Sequence, residues 1–347
     1  MSAPPLVYDF TWETLTKRLE AWGQPAYRSA QVWQSIYRRL LDTPAGMTDL
    51  PSPLRTLLDD NLSFSSMTIK ASARSKDGGT EKLLLGMADG VAIEAVLMRY
   101  ERRRTACIST QAGCAMGCVF CATGQMGFKR HLSAGEIVEQ VLLFARRLAQ
   151  SEEHLTNIVV MGMGEPFHNY EATLEAIDRL NDARGFNFGA RRFTISTVGL
   201  IPGIERFTAE NRQVNLAVSL HAATDDLRAR LVPVSRRYPL SVLLPACREY
   251  TTRTGRRLTF EWALIQGVND TVEQADALAD LLLGLNCHVN LIPLNPTRKY
   301  TGEASPRERA QAFHDLLAAR GLACTVRLRR GIDIQAGCGQ LATEPTD

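Results

Sequence analysis

No run in this 347-residue sequence approaches the roughly 20 consecutive apolar residues of a membrane-spanning helix. The opening segment MSAPPLVYDFTWETLTKRLE carries neither an apolar signal core nor a basic transit pattern. The expectation is therefore a cytoplasmic protein with no membrane partner. Sequence repeats and long low-complexity tracts are also missing, which argues against a solenoid and against a disordered chain. Lysine is scarce, 6 residues against 34 arginines, and net charge is only +3. Eight cysteines are present, yet no second Cys-x2-Cys pair accompanies the one at 118–121. In a chain with no secretory signal, that usage speaks for metal or redox chemistry and against a disulfide scaffold.

What charge there is falls unevenly. Residues 1–95 hold 10 Lys/Arg against 11 Asp/Glu, whereas residues 96–347 hold 30 against 26. The basic residues cluster at Arg102-Arg103-Arg104, Arg191-Arg192, Arg236-Arg237, Arg256-Arg257 and Arg327 with Arg329-Arg330. Planar, bidentate guanidinium groups suit phosphate. Most surface arginines are solvated all the same, so the clusters alone do not establish a nucleic-acid partner.

Residues 10–62 repeat apolar positions at helical spacing, with Phe10, Leu15, Leu19 and Trp22 in one stripe and Val32, Trp33, Ile36, Leu40 and Leu41 in a second. A third helix is predicted to begin at Ser52 or Pro53, where proline suits a first turn. The three helices define a helical accessory domain at 1–65. TIKASARS, TEKLLLGM and GVAIEAVLM, separated by DGG and ADG turns, predict a β meander over 66–99. Beyond residue 100 the pattern alternates. Strands are expected at 104–109, 156–161, 192–197, 214–220, 257–264, 287–294 and 322–329, with helices between them at 133–149, 170–182, 200–210, 240–253, 271–283 and 305–319. Strand followed by helix, six times, is the mark of right-handed parallel units. Six are too few for a closed eight-fold barrel. The fold class is α/β, a partial (β/α)6 barrel over 100–347 with the accessory domain and meander in front.

In such folds chemistry collects at the C-terminal ends of the strands. The unusual residues fall there: the cysteine run after the first strand, GMGEP at 162–166, STVG at 196–199, SLH at 219–221 and NPT at 295–297.

Cys114, Cys118 and Cys121 are spaced Cys-x3-Cys-x2-Cys. A structural zinc site wants four closed ligands, and no second pair supplies them. Three thiolates on one loop would instead leave one iron of a [4Fe–4S] cluster open to a small molecule. The spacing, set after the first strand of a partial barrel, resembles the radical S-adenosylmethionine superfamily, and Phe120 just before the last cysteine fits that pattern. The resemblance implies that the open iron binds the amino and carboxylate groups of S-adenosylmethionine. It implies cofactor contacts at Gly164, Glu165, Ser196, Ser219, Leu220, His221 and Asn295. Read singly, Ser196 is as well explained as a helix cap and His221 as a core histidine.

Cys247, Cys287 and Cys324 sit among apolar residues and read as small core side chains. Cys338, in GIDIQAGCGQL, differs: glycines on both sides free its backbone to approach other groups. Cys107, at the first strand, is its natural partner. With CISTQAGCAMGCVFCATG, MGMGEP, STVGLIPGI, SLHAATDDLR and LIPLNPT, the pair makes the chain resemble, over nearly its whole length, the RlmN/Cfr family of radical S-adenosylmethionine RNA methyltransferases.

The resemblance implies one [4Fe–4S] cluster per chain and two S-adenosylmethionine molecules per turnover. It implies a methyl carried on Cys338, a resolving thiol at Cys107 that leaves a disulfide, and a proton acceptor at Glu94. By its position alone Glu94 reads as a surface carboxylate on a strand. The implied substrates are an adenosine of 23S ribosomal RNA and the adenosine beside the tRNA anticodon; an electron donor such as flavodoxin or ferredoxin and a monomeric chain are implied as well. Two alternatives stay open. One is methylation at carbon 8, the antibiotic-resistance branch, which CATG and TGEA resemble while MGMGEP points to carbon 2. The other is a zinc-dependent RNA-binding protein.

Overall fold

The computed structural model describes residues 4–327 and 329–343; the predicted strand at 322–329 therefore includes one residue, Leu328, that lies outside the described set. Three helices lead the chain: α1 (Trp12–Ala21), α2 (Tyr27–Tyr37) and α3 (Ser52–Asn61). Thr11 and Thr14 close a reciprocal capping box on α1, and Pro53 occupies the first turn of α3. Strands β1 (Met67–Arg74), β2 (Thr80–Met87) and β3 (Ala92–Arg99) then form the meander.

The remaining elements alternate as the sequence predicts. They are β4 (Arg104–Cys107), a small hairpin of β5 (Gln111–Gly113) and β6 (Phe128–His131) around α4 (Ala122–Met126), α5 (Ala134–Ala149), β7 (Asn157–Val160), α6 (Tyr170–Asn181), β8 (Phe193–Thr197), α7 (Ile201–Glu210) and β9 (Asn215–Ser219). There follow α8 (Asp225–Leu231), α9 (Leu240–Thr254), β10 (Leu258–Leu264), α10 (Val272–Leu281), β11 (Cys287–Pro293), α11 (Arg307–Ala319) and β12 (Cys324–Val326). The hairpin, α4 and α8 are the elements the sequence pattern misses, being too short to show a period.

Ten strands make one sheet in the order β1-β2-β3-β4-β7-β8-β9-β10-β11-β12. The ladder is antiparallel as far as β4 and parallel from β4 to β12. The meander is thus hydrogen-bonded directly to the first barrel strand, with Val96 opposite Cys107 and Leu97 opposite Ala106. Phe193, Ile195, Leu216, Val218, Phe260 and Trp262 point outward into the core beneath the helices. The alternate residues, Ser196, Ser219, Glu261 and Asn290 among them, face the barrel interior, as the period of two requires. After β12 the chain crosses back to the meander: Lys76 N donates to Asp333 Oδ2 (2.9 Å) and Lys82 Nζ to the Gln335 carbonyl (3.3 Å).

The N-terminal helices share the barrel's hydrophobic core and lie against the outer helices. Arg146 of α5 donates to Tyr8 Oη (2.9 Å), Arg179 of α6 to the Tyr8 carbonyl (2.9 Å), and Asp9 Oδ1 accepts from Gly135 N at the first turn of α5 (2.8 Å). Among the described residues no helix is long and apolar enough to cross a membrane.

Candidate active site

The C-terminal ends of β4 and β7–β11 bring the predicted residues to one mouth. Cys114, Cys118 and Cys121 lie on the turn between β5 and α4, buried or nearly so, packed with Phe120 against Leu227 and Leu231 of α8. Val119 N donates to the Leu231 carbonyl (3.0 Å), fixing the loop on that helix. Burial raises all three thiols, and neighbouring thiols add to this for Cys114 and Cys118. Backbone N–H groups of Thr123 and Gly124 and the Thr123 hydroxyl oppose the rise at Cys121. Among the described residues no three His, Cys, Asp or Glu side chains converge on a single-ion position. Three thiols on one loop, with no second Cys-x2-Cys pair to close a four-ligand zinc site, fit a cluster held by three thiolates better than they fit zinc.

Gly164 has φ +108°, and a Cβ there would lie 2.7 Å from Gln111 Cβ and 2.8 Å from Thr110 Oγ1; only glycine fits. Glu165 is buried, and burial pushes its carboxyl up to about 7 against the pull of two backbone donors, Val198 N at 2.9 Å and Phe167 N at 3.0 Å. A buried carboxylate held by neutral donors is a natural seat for an incoming ammonium group. Ser196 and Ser219 meet across β8 and β9 with their hydroxyls 3.4 Å apart. Leu220 is buried, and both its backbone groups are engaged: its N–H donates to the Glu261 carbonyl (3.0 Å) and its own carbonyl accepts from Arg228 Nε (3.2 Å).

His221 is buried with φ +61°, a strained setting for a non-glycine residue. Its Nδ1 accepts from Ala263 N (3.0 Å), and burial, then Arg228, lowers the imidazole to about 3. The ring is therefore neutral, carries its proton on Nε2, and stands edge-on to Phe120 at 4.9 Å. Asn295 Nδ2 donates to the Cys338 carbonyl (3.0 Å), while its buried Oδ1 has no partner. The buried Thr110 hydroxyl beside Gly164 is likewise unpartnered. Orphaned polar atoms at both ends of the mouth are what an absent polar ligand would leave behind. The residues fit S-adenosylmethionine and a cluster held by three thiolates.

Cys107 ends β4, half-buried, opposite Val96 on one side and Val159 on the other. Burial raises its thiol, and Cys338 adds to the rise. Cys338 is exposed to the mouth, on a loop pinned by Ala122 N to the Gly339 carbonyl (2.7 Å), the Thr123 hydroxyl to the Leu341 carbonyl (2.7 Å) and Gln340 Nε2 to the Pro296 carbonyl (3.0 Å). Ala342 N, four residues past Cys338, donates to Glu94 Oε2 (2.9 Å), so the Cys338 loop returns from the last strand to the sheet face that carries Cys107. Neither Cys107 nor Cys338 belongs to the three-cysteine loop. Cys247 and Cys287 are buried in the core, and the half-buried Cys324 sits on β12 with its thiol against the His314 carbonyl (3.4 Å).

Glu94 corrects its surface reading: it is 1% exposed. Glu94 lies two residues from Val96 on β3, and Val96 pairs with Cys107, so Glu94 and Cys107 share one sheet face as diagonal neighbours. The Ser109 hydroxyl donates to its carbonyl (2.6 Å) and Ala342 N to its Oε2 (2.9 Å).

Two functional neighbours escaped the sequence reading. Arg228 is fully buried and donates to the carbonyls of Val198 (2.7 Å), Leu220 (3.2 Å) and Tyr238 (3.2 Å), locking together the ends of β8 and β9. Lys82 is buried on β2. A lone lysine at the start of TEKLLLGM gives no sign of burial; the available signal was the apolar run that follows it in β2.

Residues 108–282 match the model of the Radical SAM superfamily. Over 335 residues, covering 96% of this chain and 93% of the other, the sequence is 52% identical to the dual-specificity RNA methyltransferase RlmN 1 of Myxococcus xanthus. The chain belongs to the RlmN family of radical S-adenosylmethionine enzymes. A second RlmN relative, a probable dual-specificity RNA methyltransferase of Geobacillus thermodenitrificans, is 45% identical over 97% of this chain and 92% of its own length. The crystal structure of a radical SAM methyltransferase from Sphaerobacter thermophilus superposes with a TM-score of 0.96 at 52% identity, covering 98% of this chain and all of that one. RlmN membership carries with it the cluster and S-adenosylmethionine to which the mouth is fitted.

Proposed function

We propose that the protein methylates carbon 2 of an adenosine in 23S ribosomal RNA, at the peptidyl-transferase centre, and in tRNA at position 37, through a methyl group carried on Cys338. The observation that supports this most is the return of the Cys338 loop to the three-cysteine loop, through Ala122 N and the Thr123 hydroxyl, and to Glu94, the diagonal neighbour of Cys107 on one sheet face. The adenine carbon is an amidine carbon and no nucleophile, so polar methyl transfer to it fails. When bound, one cluster, held by Cys114, Cys118 and Cys121, and two S-adenosylmethionine molecules per turnover supply the methyl group, a 5′-deoxyadenosyl radical and one-electron exchange with the substrate. Gly164, Glu165, Ser196, Ser219, Leu220, His221 and Asn295 form the cofactor's cradle.

Cys338, as thiolate, takes the methyl group by displacement. Loss of a hydrogen atom from that S-methyl leaves a methylene radical on Cys338, which adds to carbon 2. As the adduct gives up one electron, Glu94 takes the ring proton. The Cys107 thiolate then attacks the sulfur of Cys338. The S–CH2 bond breaks, its electron pair stays with carbon, and a proton completes the new methyl group. A Cys107–Cys338 disulfide remains, and a two-electron reductant reopens it.

In this reading residues 1–65 help to hold RNA, residues 66–99 contribute Glu94, and residues 100–347 carry the chemistry. The chain works as a cytoplasmic monomer supplied by a donor such as flavodoxin or ferredoxin. Nucleoside mass spectrometry of ribosomal RNA and tRNA treated with the reduced enzyme tests it directly: 2-methyladenosine in both is expected, and 8-methyladenosine would overturn the regiochemistry.

The fold also separates the arginine clusters. Arg102–Arg104, Arg191-Arg192 and Arg256-Arg257 precede β4, β8 and β10, at the end away from the mouth, and Arg256 is engaged with Asn215 Oδ1 at 2.6 Å. Arg236-Arg237 follow β9, on the mouth side, whereas Arg330 stacks on Tyr100 (4.7 Å), the ring that Arg103 also covers (4.8 Å). Replacing Arg236 and Arg237 by glutamine should weaken RNA binding and flatten its salt dependence by roughly one log–log unit per lost phosphate contact. The same change at Arg256 and Arg257 should do neither. Equal effects from both pairs would remove the mouth-side electrostatic track.

A further inference from the structure

Lys82 and Glu94 form an ion pair almost entirely cut off from water. Nζ lies 2.9 Å from Glu94 Oε1, with the two side chains 5% and 1% exposed. They sit on adjacent strands of the meander, where Lys82 pairs with Val96 and Glu94 with Leu84, so they are diagonal neighbours on the face that carries Cys107. Burying two charges is costly, and removing either one strands the other. Such a pair calls for a reason beyond holding two strands together, which backbone ladders already do.

The reason lies in what else the pair touches. Lys82 Nζ also donates to the Gln335 carbonyl (3.3 Å), and Glu94 Oε2 accepts from Ala342 N (2.9 Å). Gln335 and Ala342 stand three residues before and four residues after Cys338. Both feet of the cysteine loop therefore rest on this one ion pair. Gln335 itself has φ +52°, a left-handed backbone uncommon outside glycine, so its carbonyl is aimed at Lys82 at some conformational cost. Glu94 Oε1 has the ammonium at ion-pair distance and no directed hydrogen bond, which leaves that oxygen with a lone pair to use.

We propose that Lys82 is a positioning residue for the methyl-transfer chemistry: it holds the Glu94 carboxylate in place in a buried site, and it ties that carboxylate to the loop bearing Cys338. The ring proton moves to Glu94 Oε1, and the C–H electron pair stays with the ring as the adduct loses one electron to the cofactor system. Lys82 gains and loses no atoms. It acts on the step through Glu94 and the Gln335 carbonyl.

This rests on the reading of Glu94 and Cys338 given above, and the test separates the two. Lys82→Met, Lys82→Arg and Glu94→Gln are each loaded with the cluster. Iron content, methyl on Cys338, and RNA covalently held at Cys338 are then measured in single-turnover reactions. Lys82→Met is expected to keep its iron and its methyl-Cys338 but to retain RNA on the protein, with release of methylated RNA slowed on the order of 100-fold, the lower end of what a positioned base contributes. Lys82→Arg should recover most of that release, since a guanidinium restores the charge and the donor. A purely structural lysine would lower iron, methyl-Cys338 and product together, and that outcome overturns the proposal. So does release at the unmodified rate in Lys82→Met while Glu94→Gln holds RNA. Normal release from Glu94→Gln would instead sink the proton-acceptor reading beneath it.

Discussion

Protein purified as Cys107→Ala should carry RNA joined through a methylene to Cys338, surviving denaturation and trimmed by RNase to an adenosine-bearing fragment. Cys338 is an exposed residue, although burial of its thiol pushes that group up to about 12, and neither step before resolution uses the Cys107 sulfur. Without that sulfur nothing attacks Cys338, so the S–CH2 bond persists and turnover stops after a single addition. Cys338→Ala should fail in another way. It should hold its cluster, because its loop is hydrogen-bonded to the cysteine loop through backbone groups and Thr123 and not through its thiol, and it should yield neither methylated protein nor methylated RNA. The two variants are decisive as a pair, since a thiol pair that merely stabilised the fold would give the same loss from either side. Mass spectrometry of denatured protein before and after RNase reads both. Free, normally methylated RNA with no adduct from Cys107→Ala would end the resolver role.

The second large effect concerns the cluster. Cys118→Ala should fall from about four irons per chain to near none after reconstitution, with cofactor cleavage lost. Cys118 is buried between Cys114, Cys121 and α8, where burial and both neighbouring thiols raise it. Binding iron would release the protons that burial holds on these thiols, and a loop that offers two thiolates in place of three cannot hold the cluster. Cys247→Ala and Cys287→Ala, which remove core sulfurs away from the mouth, should load normally. Iron and sulfide analysis, with the visible absorption of anaerobic samples, decides the matter. A full complement of iron in Cys118→Ala would return the loop to a structural role and reopen the zinc alternative.

The barrel and its order of elements were legible because each rests on local information. Strands such as FTIST and NLAVS are short apolar runs, and the intervening helices carry a clear 3.6-residue period. The cysteine loop was legible for the same reason: ligand spacing is a property of consecutive residues. Gly164 was quoted as part of a motif, whereas its necessity appeared only when Gln111 and Thr110 came within 2.8 Å of where a Cβ would stand. His221 could have been any core histidine until its left-handed backbone and its bond to Ala263 N were seen.

Sequence by itself determined the chemistry on offer: three closely spaced thiols, two more set apart, and a mouth formed by strand ends. Tertiary structure alone decided what that chemistry is held by. Glu94 reads as a surface carboxylate and Lys82 as one basic residue in a strand. They become a buried pair because β3 adds to β4 in one register and the chain after β12 returns across the meander. Contacts between residues 82, 94, 335 and 342 depend on strand register and chain return, and no local pattern records either one. Burial is set by what the rest of the chain lays over a residue, so a charge that appears solvated in the sequence can be the anchor of the site.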